Sequence, residues 1–232
     1  MIHILDANSN IDYDYSISWM KSVLTSDGVF IVNNYVKDEV LKGLHDEVLN
    51  KCETEAGHYE FGRNYCGPEL SSFSEDSYIK RVYDVKWMRD LHSQYTEGVE
   101  GDHPYGKNVF ATHDYKFEGE LARNGWLHFD RWWCLKFFIY LTDIDESSGA
   151  FSCSPKSRST GEHLRAEAWR AGNYEHVKNR IELDYPELLN VFPPVPIEAK
   201  AGSLVVFDTN TFHKGGKTEE GKERLVVRLH CG

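Results

Sequence analysis

The sequence predicts a mainly β fold, a single sandwich or barrel of short strands with helices on its outside. Three observations predict it. From Gly125 onward, short apolar stretches alternate with turns. Before that point, apolar residues recur at helical spacing. The 232 residues, enough for one large domain or two small ones, contain no internal repeat, no low-complexity tract and no clear linker, which favours a single unit. The expected layout is one domain over 1–232: 1–106 mostly helical flank and loops, 107–232 the β core, and 156–194 an insert within it.

Each element follows from local pattern. Ile17, Met20, Val23 and Leu24 share one face of a helix over 16–26. Asp27-Gly28 breaks it and opens the β-branched run Val29–Val32. Asp38 and Glu39 suit the start of the next helix, whose face is Val40, Leu41, Leu44 and Val48. Residues 52–77, rich in Gly, Ser and acidic groups, read as loop with one short strand; a pocket wall and a plain surface loop are equally compatible with it. Ile79, Val82, Tyr83, Trp87, Met88 and Leu91 predict one further helix. Glu97–Gly106 reads as a turn, Val109–Tyr115 as a strand, and Gly119–Gly125 as a break.

The strand Leu135–Leu141 is apolar on both faces except for Lys136, and a lysine facing inward needs a partner. Ala150–Cys153 follows a turn. Within the insert, Glu162–Arg170 and Tyr174–Ile181 have helical character, ended by Pro186, Pro193, Pro194 and Pro196; a lid and a surface excursion are equally compatible with it. Val195–Ala199, Ser203–Phe207 and Glu223–Cys231 are the closing strands, with a polar turn over Lys214–Gly221.

Composition narrows the partners. A formal net charge of −11 argues against a nucleic-acid or anionic-membrane surface, which needs clustered Lys and Arg. The five cysteines are scattered and lack C-x-x-C spacing, so neither a zinc ribbon nor a disulfide framework is expected. Met1–Tyr15 has no basic, then apolar, signal-peptide pattern. No run approaches the roughly 20 apolar residues of a membrane span. The expected location is the cytoplasm.

The chemistry centres on Gly125-Trp126-Leu127-His128-Phe129-Asp130. If this stretch is a strand, His128 and Asp130 point the same way. With a third donor they form the 2-His-1-carboxylate face that leaves positions open on non-haem iron(II). His213 follows the apolar strand Gly202–Asp208, and Arg224 lies eleven residues beyond it. Arg224, Val226 and Arg228 share one face of the last strand, and a buried guanidinium needs an anion, which it grips with two parallel hydrogen bonds. Lys136 is a candidate for binding a carboxylate of cofactor or substrate, Arg228 an alternative to Arg224, and Thr112 a candidate cofactor contact. Trp126, Trp132 and Trp133 crowd the H-x-D stretch and read as packing. His45, His103, His113, His163, His176 and His230 lack ligand spacing and read as helix, loop or surface residues.

The order H-x-D, the "YLTDID…SGAFSCSP" pair, "GSLVVFD", a lone His and an Arg resembles the phytanoyl-CoA hydroxylase-like family of iron(II)- and 2-oxoglutarate-dependent oxygenases. The similarity spans Gly125 to Cys231, with a weaker echo at Asp27–Ile31. The resemblance implies a double-stranded β-helix, that is, a jelly roll or cupin-like barrel. It implies His128, Asp130 and His213 as iron ligands, Arg224 as anchor for the distal carboxylate of 2-oxoglutarate, and dioxygen as co-substrate. The implied reaction oxidises a C–H bond of a small molecule and releases succinate and carbon dioxide. Asp130 argues against the related halogenases, which carry a small residue there. Many members have a P-G-S-H turn where this chain has Pro155-Lys156-Ser157-Arg158.

Two other readings stay open at this level: a cupin-type metal dioxygenase that uses no 2-oxoglutarate, and a non-catalytic β-sandwich binding module. Inward Lys136 and Arg228 suit an acidic substrate such as an amino acid or other carboxylate. Desaturation, ring closure and epimerisation stand beside hydroxylation, and no oligomeric state is implied.

Overall fold

The computed structural model describes residues 2–7, 13–59, 61–96, 106–116, 125–173 and 177–232. The helices before residue 106 are α1 (Tyr13–Ser26), α2 (Asp38–Thr54), α3 (Tyr78–Tyr83) and α4 (Lys86–Thr96). The strands of the same region are β1 (His3–Asp6), β2 (Val29–Asn33), β3 (Gly57–Tyr59) and β4 (Gly62–Glu69). Beyond it come β5 (Lys107–Asp114), β6 (Leu135–Tyr140), β7 (Ser152–Cys153), β8 (Val195–Pro196), β9 (Leu204–Asp208), β10 (His213–Lys214) and β11 (Arg224–Cys231). The insert carries α5 (Arg158–Arg170), α6 (Ile181–Asp184) and α7 (Leu188–Val191).

Eight strands form one sheet in the order β1-β2-β9-β6-β11-β5-β4-β3, and a three-stranded sheet, β10-β7-β8, makes up the second. Only the β1–β2 pair is parallel among the described strands. The arrangement is a jelly-roll sandwich with an extended large sheet that does not close into a barrel.

Alternation along β6 shows how the sequence divides the two faces. Leu135, Phe137 and Ile139 join the core beneath α1 to α4, with Leu225, Val227 and Leu229 of β11 beside them. All three β6 residues are fully buried, and each such side chain contributes about 1.5–3 kcal/mol by leaving water. Phe138 and Tyr140 face the other way, into a second core with Phe207 of the same sheet and with Phe151 and Ile197 of the opposing layer. Lys136 shares that inner face.

Several sequence expectations are corrected. Residues 52–77 hold two strands, β3 and β4, and β4 pairs with β5 over most of its length. The helix expected over 79–91 is two helices. The chain leaves helical geometry at Asp84 (φ −84°, ψ 55°), and Arg89 donates to the Asp84 carbonyl, which the break leaves without a helical partner. The helix expected over Tyr174–Ile181 lies partly outside the described residues; Val177–Arg180 is not helical, and α6 starts only at Ile181. The expected turn at Glu97–Gly106 and break at Gly119–Gly125 lie almost wholly outside the described residues. No helix among the described residues is long and apolar enough to cross a membrane.

Candidate metal centre

The H-x-D stretch is not a ladder strand. It is extended chain held by isolated bridges: His128 pairs with His213 on one side and with Arg180 on the other. His128 N–H donates to the His213 carbonyl at 2.9 Å, and His213 N–H returns the bond at 2.7 Å. Asp130 N–H donates to the Thr209 carbonyl at 2.9 Å. The insert supplies the outer support. Ile181 N–H reaches the Leu127 carbonyl, Asn179 Nδ2 reaches the Phe129 carbonyl, and the Glu182 carboxylate accepts from Leu127 N–H. Leu127 and Phe129 point away from the site into a small core with Val177, Ile181 and Phe212. Extended geometry on a two-residue period therefore leaves His128 and Asp130 facing inward together.

One donor atom each from His128, Asp130 and His213 lies within 4.8 Å of the other two. Asp130 Oδ1 stands 3.6 Å from His128 Nε2 and 3.4 Å from His213 Nε2. Both imidazoles are oriented from behind. His128 Nδ1 lies 2.7 Å from the Trp126 carbonyl oxygen, and His213 Nδ1 lies 2.7 Å from that of Thr211. A carbonyl only accepts, so each Nδ1 carries the hydrogen and each Nε2 keeps its lone pair for the interior. This is the outer support that metal-binding histidines receive.

Charge state agrees with that use. Burial, together with the neighbouring His128, pushes His213 down to about 4, so it stays neutral at ordinary pH. Burial opposes ionisation of Asp130, but the Lys136 ammonium outweighs it and holds the carboxyl well below the usual carboxylate range. Two neutral imidazoles and one carboxylate are the protonation states a divalent metal needs. The donor set fits iron(II), which takes the 2-His-1-carboxylate face.

These donors open onto a cavity of about 390 Å³ between the sheets. Its walls include Thr112, Lys136, Arg224 and Arg228 from the inner faces of β5, β6 and β11, and Tyr59, Phe61, Asn64 and Cys66 from the 52–77 region. That region is a pocket wall. None of the described residues of the insert lines the cavity, so its described part clasps the H-x-D segment from behind.

Lys136 Nζ lies 2.5 Å from Asp130 Oδ2, which answers the need for a partner on that inward lysine. Arg224 donates through Nε (2.8 Å) and one terminal nitrogen to Asp114 Oδ2, and through the other terminal nitrogen to the Gly149 carbonyl. The anion its burial demands is thus supplied within the protein. Three of the five guanidinium N–H donors are used by these contacts, which leaves two on its terminal nitrogens. Arg228 hydrogen-bonds Asn64 Oδ1 at 3.4 Å and lies over the Phe138 ring at 5.7 Å. Thr112 stands opposite Val226 in the β5–β11 register.

His230 is the residue the sequence reading misplaced. It lines the cavity and stacks on Phe110, with ring centroids 4.4 Å apart. The signal was present, because His230 continues the alternation of Arg224, Val226 and Arg228. His113 pairs with Glu223, and His163 with Glu167, at the periphery. His103 and His176 lie outside the described residues. Trp133 is buried in the helical core and Trp132 packs against Trp169. Neither tryptophan lines the cavity, nor does Trp126.

The sequence departs from the family pattern at Pro155–Arg158, and the structure shows what replaces it. Arg158 donates to the fully buried Asp208 at 3.0 Å, and the Tyr95 hydroxyl donates to the same carboxylate oxygen at 2.8 Å. This ties α5 and α4 to the end of β9, from which the chain runs to His213.

Residues 126–225 match the family model for phytanoyl-CoA dioxygenase (PhyH). No curated protein matches the chain by sequence. Among solved structures, the chain is similar to the epimerase SnoN in complex with Fe3+, alpha ketoglutarate and nogalamycin RO. That likeness has a TM-score of 0.67 at 12% identity, over 94% of this chain and 83% of that one. A second structure of SnoN, described as a non-heme alpha ketoglutarate dependent epimerase from nogalamycin biosynthesis, gives 0.61 at 11% identity, over 94% and 82%. EvdMO1 gives 0.56 at 14% identity, over 92% of this chain and 49% of that one. At these identities the solved structures establish the shared fold. The stretch that matches the family model, residues 126–225, holds the three donors and Arg224.

Proposed function

We propose that the chain is a single-domain iron(II)- and 2-oxoglutarate-dependent dioxygenase that oxidises a C–H bond of a small molecule and releases succinate and carbon dioxide. The observation that carries this reading is the His128–Asp130–His213 cluster, with both imidazole Nδ1 atoms committed to backbone carbonyls. In this reading the three side chains hold the iron. Iron(II), with 2-oxoglutarate and dioxygen, supplies the oxidising chemistry.

The remaining residues bind and orient. Lys136 steadies the Asp130 carboxylate and keeps it ionised. Arg224, aimed by Asp114, offers its two remaining N–H donors to the distal carboxylate of 2-oxoglutarate. Thr112 lines the same cavity from the neighbouring strand, and in this reading it contacts the same cofactor. Phe138, Phe151 and Tyr140 line the cavity and offer aromatic surface to a substrate. Five free cysteines, among them exposed Cys66, support a reducing, cytoplasmic setting.

The test is an anaerobic titration with iron(II), then 2-oxoglutarate, followed in the visible region. The reading expects a charge-transfer band that needs both additions, is lost in Asp130→Ala and weakens in Arg224→Ala. Iron binding without the band would favour a cupin-type dioxygenase that uses no 2-oxoglutarate, since Asp114 already neutralises Arg224. Absence of iron binding would remove the oxygenase assignment.

A further inference from the structure

Arg228 sits in the middle of β11, between Phe138 of β6 and Phe110 of β5. It faces the cavity, and its guanidinium is oriented by the Phe138 ring and by Asn64 on β4. Its Nε–H is buried and has no acceptor. Among the described residues, no carboxylate comes within ion-pair distance of it; Lys136 has Asp130 and Arg224 has Asp114. Burial lowers the Arg228 pKa, Asp114 offsets this in part, and Arg224 adds to it. Arginine nevertheless keeps its charge in proteins. A buried donor without a partner costs about 1–3 kcal/mol, and more for a charged group. The fold holds such a group in place at its own expense.

The charges of the cavity show what the group lacks. Asp130 and Lys136 cancel, and so do Asp114 and Arg224. Iron(II) and the 2-oxoglutarate dianion cancel in turn. Lys217, at the mouth, is exposed to solvent. Among the described residues, Arg228 is left as one positive charge, in a wall made by Tyr59, Phe61 and Phe110. The four-residue spacing on one strand puts the Cα atoms of Arg224 and Arg228 about 13 Å apart, which leaves room for two anions.

Resting on the oxygenase reading above, we propose that Arg228, with Asn64, is the residue that selects the substrate. It receives a carboxylate on a small monoacid whose carbon skeleton lies against Phe61, Phe110 and Phe138.

The test uses zinc(II)-loaded protein with 2-oxoglutarate, and 3-phenylpropanoate as probe, with 3-phenylpropanamide as its neutral counterpart. Binding is read by saturation-transfer NMR, and 2-oxoglutarate affinity by calorimetry. The acid is expected to bind at least about tenfold tighter than the amide, the preference one charge-assisted contact gives. Arg228→Gln should abolish that preference, leave 2-oxoglutarate affinity within about threefold, and melt at or above the native temperature, because a costly buried cation is gone. A structural role for Arg228 predicts the reverse, a lower melting temperature with the preference intact, and would overturn the proposal. So would equal binding of acid and amide, no binding of the acid at millimolar concentration, or a variant that loses 2-oxoglutarate in place of the probe. The anaerobic iron band is recorded on the same preparations. If the band is missing while the acid still binds through Arg228, the oxygenase reading fails and the anion subsite stands. If the band is present without acid binding, only the subsite fails.

Discussion

His128 and His213 exchange two backbone hydrogen bonds, of 2.9 and 2.7 Å, so the two imidazoles that face one another are fixed by one antiparallel bridge. Their ring centroids lie 4.4 Å apart. The donors are thus in place before a metal arrives, and binding acts on the folded state alone. Linkage then gives about 2.7 kcal/mol of added stability at a hundredfold excess over the dissociation constant. For a chain of this length that corresponds to a melting-temperature rise of roughly 5–10 °C. Manganese(II), which is less prone to oxidation, should produce this rise in a thermal scan, and a chelator should reverse it. The same rise in Asp130→Ala would mean that the metal binds elsewhere.

The Asp130–Lys136 contact makes a second prediction. Removing Asp130 alone leaves Lys136, whose side chain is 12% exposed, without its carboxylate. Truncating one partner of a pair this buried should cost roughly 3 kcal/mol in urea unfolding. Replacing Lys136 by Met as well should restore most of that stability, because no stranded charge remains. Metal binding should stay absent in the double variant. Full loss of stability in both variants would show that Asp130 supports the fold through contacts other than Lys136.

Lys156 sits at φ 71°, in the left-handed region that disfavours a side chain. Here the chain has Lys where many members of the family it resembles carry Gly. The left-handed conformation costs a non-glycine residue about 1–2 kcal/mol. Glycine gives back about 0.4–1 kcal/mol through the unfolded chain. Lys156→Gly is therefore expected to stabilise by up to about 1 kcal/mol, visible as a higher urea midpoint with unchanged slope. Destabilisation would mean that the lysine side chain makes a contact worth more than the strain.

Much of this site was legible in the sequence because its parts lie on regular patterns. Period-two alternation put Arg224 and Arg228 on one face of β11, and the extended H-x-D stretch put His128 beside Asp130. What the sequence could not display was pairing across distance. Asp114 is 110 residues from Arg224, and nothing local marks it as the arginine's partner. Asn64 stands on β4, a strand hidden in a Gly-rich stretch whose β character comes from pairing with β5 more than from its own composition. His230 has no ligand spacing to mark it, and only the two-residue alternation of β11 places it on the cavity face. The insert was legible as helical in part, but its role behind the H-x-D segment depends on backbone bonds from Ile181 and a side-chain bond from Asn179, which leave no local pattern.

Gly161 tests how tightly α5 is fitted to the loop that carries His213. It lies inside a helix, where alanine is intrinsically better by about 1 kcal/mol. A Cβ at this position would stand 1.9 Å from the Asn210 carbonyl oxygen and 3.4 Å from Phe129 Cβ. The first of these contacts is with backbone, which cannot rotate away. Asn210 N–H is itself held by Asp208 at 2.7 Å, and Phe212 N–H by the Ser157 hydroxyl at 2.8 Å, so the loop is braced on both sides of the clash. Overpacking of this kind costs about 1–3 kcal/mol, which exceeds the propensity gain. Gly161→Ala should therefore lower the urea midpoint. Because relief requires moving residues 210–212, it should also displace the Thr211 carbonyl that orients His213, and so weaken manganese(II) binding in the same preparation. Unchanged metal affinity with raised stability, the ordinary result for an exposed helical glycine, would show that α5 can shift without disturbing the metal site.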